Sequence, residues 1–227
     1  MAKTKHTGTT EEVLIAKAKD FWDRYSKPIM VICVVLVLLI GGYYGYQNFI
    51  KRPKEQKASD AIFKAEEYYR LDSVKLALNG DGQYPGFLSV ISKYDGTDAA
   101  NLASFYAGSC YLKLGDDANA VKYLKKFSTD AKQIQARAYK LLGDAYADLG
   151  KNSDALENYK KAANEFTEDQ VNSAEALFMA AYFADKVMKD SKQAISLYKE
   201  LKEKYPSTPQ GIDADKYLAV LGVYDVE

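Results

Sequence analysis

Among 227 residues there is one histidine, one tryptophan, two cysteines and five prolines. The lone histidine, His6, stands in a polar tail, so the side chain most used as a general base and metal ligand is missing from everything downstream. No Walker loop, GxGxxG, CxxC or G-x-S-x-G turn occurs, which excludes the usual phosphate cradles, the dithiol redox pair and the serine elbow. Neighbouring carboxylates such as Asp116-Asp117 and Glu66-Glu67 read as helix caps and solvated faces rather than acid/base pairs. No catalytic residue, metal site or cofactor is expected, and no small-molecule substrate.

Cysteine is too scarce to build a disulfide framework. Cys33 lies in the most apolar run and Cys110 on a distant soluble helix, so a bridge between them is not expected. Cys110 reads as a small packed hydrophobe rather than a reactive thiol. Net charge is also absent, with 31 basic and 31 acidic side chains, but the balance hides an asymmetry. Residues 1–57 hold 10 Lys/Arg and 5 Asp/Glu, leaving 21 and 26 for residues 58–227. A mildly acidic main part lacks the basic face that nucleic-acid binding requires.

One long hydrophobic run is present. Pro28 to Ile50 contains no charge in 23 residues, about 34 Å as a helix and enough to cross a hydrocarbon core of about 30 Å. Tyr43, Tyr44, Tyr46 and Phe49 at one end, with Trp22 and Tyr25 before the other, form an aromatic belt. The 27-residue leader carries four acidic groups and the run ends in GGYYGYQNF without a small-residue cleavage site. That pattern fits an uncleaved anchor better than a signal peptide. Basic residues flank both ends, so charge alone does not choose an orientation. Gly41 and Gly45 form a GxxxG pair that is either a helix-contact face or simply small residues beside bulky tyrosines. The division expected is a leader at 1–27, the span at 28–50, a basic linker at 51–57 and a helical domain at 58–227.

Beyond the linker, the segments GSCYLKLGDDANAVKYL (108–124) and GDAYADLGKNSDALENY (143–159) align 35 residues apart with five identities in seventeen, where composition would give roughly one. Such a period marks a repeat architecture. Each copy reads as two helices: 99–113 with 117–128, and 131–148 with 153–166. Gly115 and Gly150 suit the left-handed position after the first helix. Asp116 or Asp117, then Asn152 or Ser153, suit the cap of the second. Gly108 is expected opposite Ala120, and Gly143 opposite Ala155, where the helices approach most closely. Tyr111, Leu124, Tyr146 and Tyr159 fill the adjoining layers.

These positions resemble the tetratricopeptide repeat. Tyr139, Leu142, Gly143, Tyr146, Ala155, Tyr159 and Ala162 occupy its signature places in the second unit, while the first has Ser104 at the usual large aromatic. Ala194, Tyr198, Leu201 and Pro206 mark a third unit, displaced by about four residues added near Thr167 to Asn172. Gly86, 34 residues before Ala120, marks an upstream second helix, with 59–70 as its first and LDSVKLALNGDGQ (71–83) as a long connection, a partner site or an ordered turn. Residues 211–222 form a closing helix. The fold implied is an all-α solenoid of about four helix pairs plus a cap.

In such domains, first-helix residues off the packing positions line a concave groove. Here these are Leu102, Phe105, Ser109, Leu112 and Lys113, then Arg137, Lys140, Asp144, Ala147 and Asp148. Leu102, Phe105 and Leu112 serve equally well as packing against a neighbouring repeat. Exchange of Phe105 and Lys140 for alanine is expected to weaken partner binding without unfolding. A carboxylate clamp is not implied, because Asp144 stands where that subfamily needs Asn.

The whole layout resembles the YfgM-like family of bacterial inner-membrane tetratricopeptide proteins, ancillary subunits of the Sec translocon that also associate with a membrane-anchored periplasmic chaperone. The resemblance implies a cytoplasmic amino terminus, a periplasmic repeat domain and a scaffold that binds translocon subunits, a chaperone or unfolded client chains. The competing reading is an assembly factor for another envelope complex, of the outer membrane or a motility machine.

Overall fold

The computed structural model describes residues 10–224, with side chains from Leu14 onward; His6 lies outside them. The described residues form eleven α-helices and one π-helical turn, and contain no strand beyond an isolated bridge between Gly80 and Pro85. The chain divides into two units at Pro53/Lys54.

The first unit is built on α1 (Thr10–Tyr46), followed by a π-helical turn over Gln47–Lys51. Its apolar stretch is exposed along its length, and α1 is long and apolar enough to cross a membrane. At the far end Gln47 donates to the Tyr43 hydroxyl at 3.0 Å, and the Tyr43 and Tyr44 rings meet edge-on at 6.0 Å. A Cβ at Gly41 or Gly45 meets nothing within 4 Å, so this face of the helix is open.

In the second unit, α2 (Arg52–Arg70), α3 (Val74–Asn79) and α4 (Phe87–Lys93) precede three helix pairs. These are α5 (Asp98–Lys113) with α6 (Asp117–Leu124), α7 (Lys132–Asp148) with α8 (Asn152–Glu165), and α9 (Gln170–Lys186) with α10 (Ser191–Lys204). The helix α11 (Pro209–Val220) closes the array. The expected linker at 51–57 is helical instead. Arg52 donates its amide to the Gln47 carbonyl, so the helix runs on out of the π-helical turn, and the Glu55 carboxylate accepts from the amides of Asp98 and Ala99 at 2.9 and 3.0 Å. Glu55 therefore caps α5 from another helix.

The turns follow from a few residues. Gly115 and Gly150 sit at φ +71° and +70°, and the next amides reach back to Tyr111 and Tyr146 carbonyls at 2.9 Å, closing each first helix in a Schellman turn. Asp116 caps α6 by accepting from the Asn119 amide at 3.2 Å. Neither Asn152 nor Ser153 caps α8: the capping position falls on Lys151, with no side-chain bond. Nor does Gly86 correspond to Ala120. It is the extended residue before α4, whereas Ala120 is fully buried inside α6. The 71–83 connection contains α3, whose Ala77 and Leu78 are buried.

Close approach between paired helices differs from the expected pairing. A Cβ on Gly143 would lie 2.5 Å from Tyr159 Cε1, and one on Gly108 would strike the Leu124 side chain. Each glycine thus faces a bulky residue 16 positions on, not the alanine 12 on, because the second helix crosses so that its eighth residue, about one turn beyond the alanine, lies over the glycine. Ala120 and Ala155 are fully buried beside these contacts. Two buried clusters result, one from α2 to α5 and one from Phe105 to Leu218, with Leu102 and Tyr106 packed against both. Tyr198, the counterpart of Tyr159 in the third pair, is buried completely.

Candidate partner groove

Neighbouring first helices α7 and α9, with the end of α8, enclose a groove of about 600 Å³. Its floor is apolar, from Ile134 and Leu141 of α7, Ala162 and Phe166 at the end of α8, and Ala176 of α9. Arg137, Lys140, Asp144 and Glu175 supply charge along it. The amphipathic period of α7 makes this arrangement: Ala138, Leu142 and Ala145 turn inward, which leaves Arg137, Lys140 and Asp144 on the facing side.

Several polar groups here hold the scaffold. Lys140 Nζ pairs with Glu175, linking α7 to α9. Tyr159 donates its hydroxyl to Asp144 Oδ1 at 2.9 Å. Burial raises the Asp144 carboxyl above its ordinary range, against the hydrogen bond from Tyr159 and the charge of Lys140, which lower it. Burial and the same carboxylate push the Tyr159 hydroxyl far up, so it remains a donor. Asp169 caps α9, accepting from Asn172, and Ser173 donates to the Phe166 carbonyl at 2.9 Å. Arg137 is exposed and makes no ion pair among the described residues, so its guanidinium is the cation left for a ligand.

The other expected groove residues go elsewhere. Phe105 is buried, its ring 5.2 Å from Phe127 and 5.5 Å from Tyr106. Leu102 and Leu112 are half-buried against the core, as is Ala147. The Ser109 hydroxyl shares a hydrogen bond with that of Tyr69 at 2.8 Å. Lys113 pairs with Asp72 at 2.6 Å and lies 4.9 Å over the Tyr69 ring. Asp148 is exposed and does not line the groove. Glu175, Ile134 and Phe166 are lining residues that sequence reasoning missed. Glu175 follows Lys140 by 35 residues, the interval of the two clearest copies, and that interval was the available signal.

The groove offers apolar surface, one unpaired cation and anchored carboxylates, and no cluster of metal-binding groups is present among the described residues. Cys110 is fully buried and its thiol is pushed up to about 12 by that burial, which keeps it protonated and inert.

Stacked helix–turn–helix pairs with open first-helix surfaces define a repeat scaffold that engages other proteins. Residues 19–139 match the tetratricopeptide repeat-like domain family, and residues 175–208 match the tetratricopeptide repeat. The chain belongs to the tetratricopeptide repeat-like domain family. The first match begins inside α1, ahead of the apolar stretch. Such repeat families are generally interaction scaffolds rather than enzymes. A comparison with curated proteins returns no match.

Proposed function

We propose that this protein is a membrane-anchored scaffold of the secretion machinery in the bacterial inner membrane. Its amino terminus is cytoplasmic, its repeat domain periplasmic, and its partners are translocon subunits, a membrane-anchored chaperone or unfolded client chains. The observation that carries the reading is the α7/α9 groove, apolar in its floor and charged at its sides, on a repeat unit that follows a single apolar helix. Such a mixture suits polypeptide segments, whose side chains are apolar and whose backbone and termini are polar. The layout shared with the YfgM-like family supports the secretion-side partner.

Crosslinking in cells followed by mild-detergent purification tests it. Translocon or chaperone subunits are expected to copurify, and Arg137→Ala is expected to reduce their yield several-fold while the protein stays folded. Recovery of outer-membrane or motility components alone would replace this reading with assembly of another envelope machine. A topology reporter fused after Glu227 is expected to be periplasmic; a cytoplasmic reporter would overturn the secretion-side assignment.

A further inference from the structure

The first half of α1 carries a surface that a simple span does not explain. At 100° per residue, Leu14, Ile15, Ala18, Phe21, Trp22 and Tyr25 fall within one stripe about 120° wide. The large side chains of that stripe are exposed, Trp22 by 60%, and the Phe21 and Tyr25 rings touch at 4.9 Å. Lys17 and Arg24 lie along one border of the stripe and Lys19 along the other, while Asp20, Asp23 and Lys27 fall on the opposite side.

What covers this stripe follows from its neighbour. Leu14 to Lys27 continues in the same helix into the uncharged stretch from Pro28 to Ile50. Standing upright, Leu14 would lie 14 residues ahead of Pro28, about 21 Å along the axis. That is far past the few ångströms of headgroup on each side of a bilayer, and the apolar stripe would face water. Lying flat, the same stripe meets acyl chains, and the bordering cations reach phosphate groups along their apolar stems. Residues 14–27 hold four Lys/Arg and two Asp/Glu, a net positive charge that complements anionic lipid. Pro28 lies inside α1 at the junction. It cannot donate to the Arg24 carbonyl, and its ring crowds that turn, so it is the place where this helix bends at least cost.

We infer that Leu14–Lys27 is an interfacial helix that lies on the anionic lipid surface beside the span, turned at Pro28. The inference rests on the anchor reading of α1 and adds a second lipid contact to it. It makes residues 14–27 a lipid-bound element.

Trp22 is the only tryptophan, so the full chain can carry a single indole wherever it is wanted. In Trp22→Phe with Leu14→Trp, reconstituted in phosphatidylethanolamine/phosphatidylglycerol vesicles, the indole is expected to emit to the blue of a hydrated one. It should be quenched by lipids brominated near the headgroup and be several-fold less accessible to iodide than free tryptophan amide. An indole at position 14 quenched by iodide as freely as the amide, with no quenching by brominated lipid, would overturn the inference; the stripe would then await a protein. Flotation of the chain with vesicles after alkaline carbonate is read in the same preparation. Loss of flotation sinks the anchor reading and this one together, whereas flotation with a water-exposed indole sinks only this one. Exchange of phosphatidylglycerol for phosphatidylcholine is expected to lower the bromolipid quenching; no change would remove the flanking cations from the account.

Discussion

The α5/α6 and α7/α8 pairs share a frame yet present opposite surfaces. In α5 the positions that should face a ligand are occupied within the protein: Phe105 packs on Phe127, Ser109 bonds Tyr69, and Lys113 pairs with Asp72. In α7 the equivalent stretch opens onto the groove through Arg137, Lys140 and Asp144. The difference lies in the neighbours. On one side α5 is covered by α2 and the turn after it, while α7 faces α9 across a gap. One repeat frame therefore yields a packing surface or a binding surface according to its outward side chains and what stands in front of them.

The sharpest way to break this contrast is to truncate one side chain in each pair. Phe105→Ala is expected to lower stability by about 3–5 kcal/mol, as for other buried phenylalanines, whereas Arg137→Ala should stay within about 0.5 kcal/mol. Chemical denaturation of the full chain in detergent measures both. Equal costs would mean that the two copies are not used differently. The expectation that Phe105 can be removed without unfolding is corrected by its burial at 6% exposure.

A smaller effect is expected at the helix crossing. Gly143→Ala places a methyl against the Tyr159 ring and should cost about 1–3 kcal/mol by overpacking. Combining it with Tyr159→Leu should cost less than the sum of the two single changes, because both act at one contact. Strict additivity in the same denaturation experiment would show that the ring is not what the glycine accommodates.

The smallest effect is a pH dependence. Burial raises the folded-state pKa of Asp144, so the folded protein holds this proton more tightly than the unfolded chain. Stability from this group is greatest below the ordinary carboxylate pKa and is lost as pH rises through the raised value. Asp144→Asn, which can still accept from Tyr159, is expected to stabilise the protein at neutral pH, with the gain shrinking as the solution is made acidic. A gain that is constant with pH would assign the effect to something other than ionisation.

Much of this architecture was legible because the repeat signals are local. Gly115 and Gly150 stop helices through backbone conformation, and Asp116 caps through a bond three residues long. The errors arise where the partner is remote in sequence. Turn geometry alone sets the glycines against Ala120 and Ala155, but the crossing of the helices places Leu124 and Tyr159 over them. The 51–57 segment read as a linker because its charges have no apolar period, yet Glu55 is drawn into the structure by the amides of α5, 43 and 44 residues away. Seven of the ten expected groove residues lie outside the α7/α9 groove, among them Ser109 and Lys113, whose face of α5 is taken up by Tyr69 and Asp72, partners that periodicity does not reveal.

By itself, then, the sequence determined the all-α repeat class, the apolar helix ahead of it and the turns, since charge-free length, 3.6-residue periodicity and glycine at positive φ are properties of neighbouring residues. Tertiary structure decided which surfaces stay open. Whether Phe105 packs and Arg137 stays free depends on the helices set against α5 and α7, and the packing of those helices buries the one and leaves the other in water.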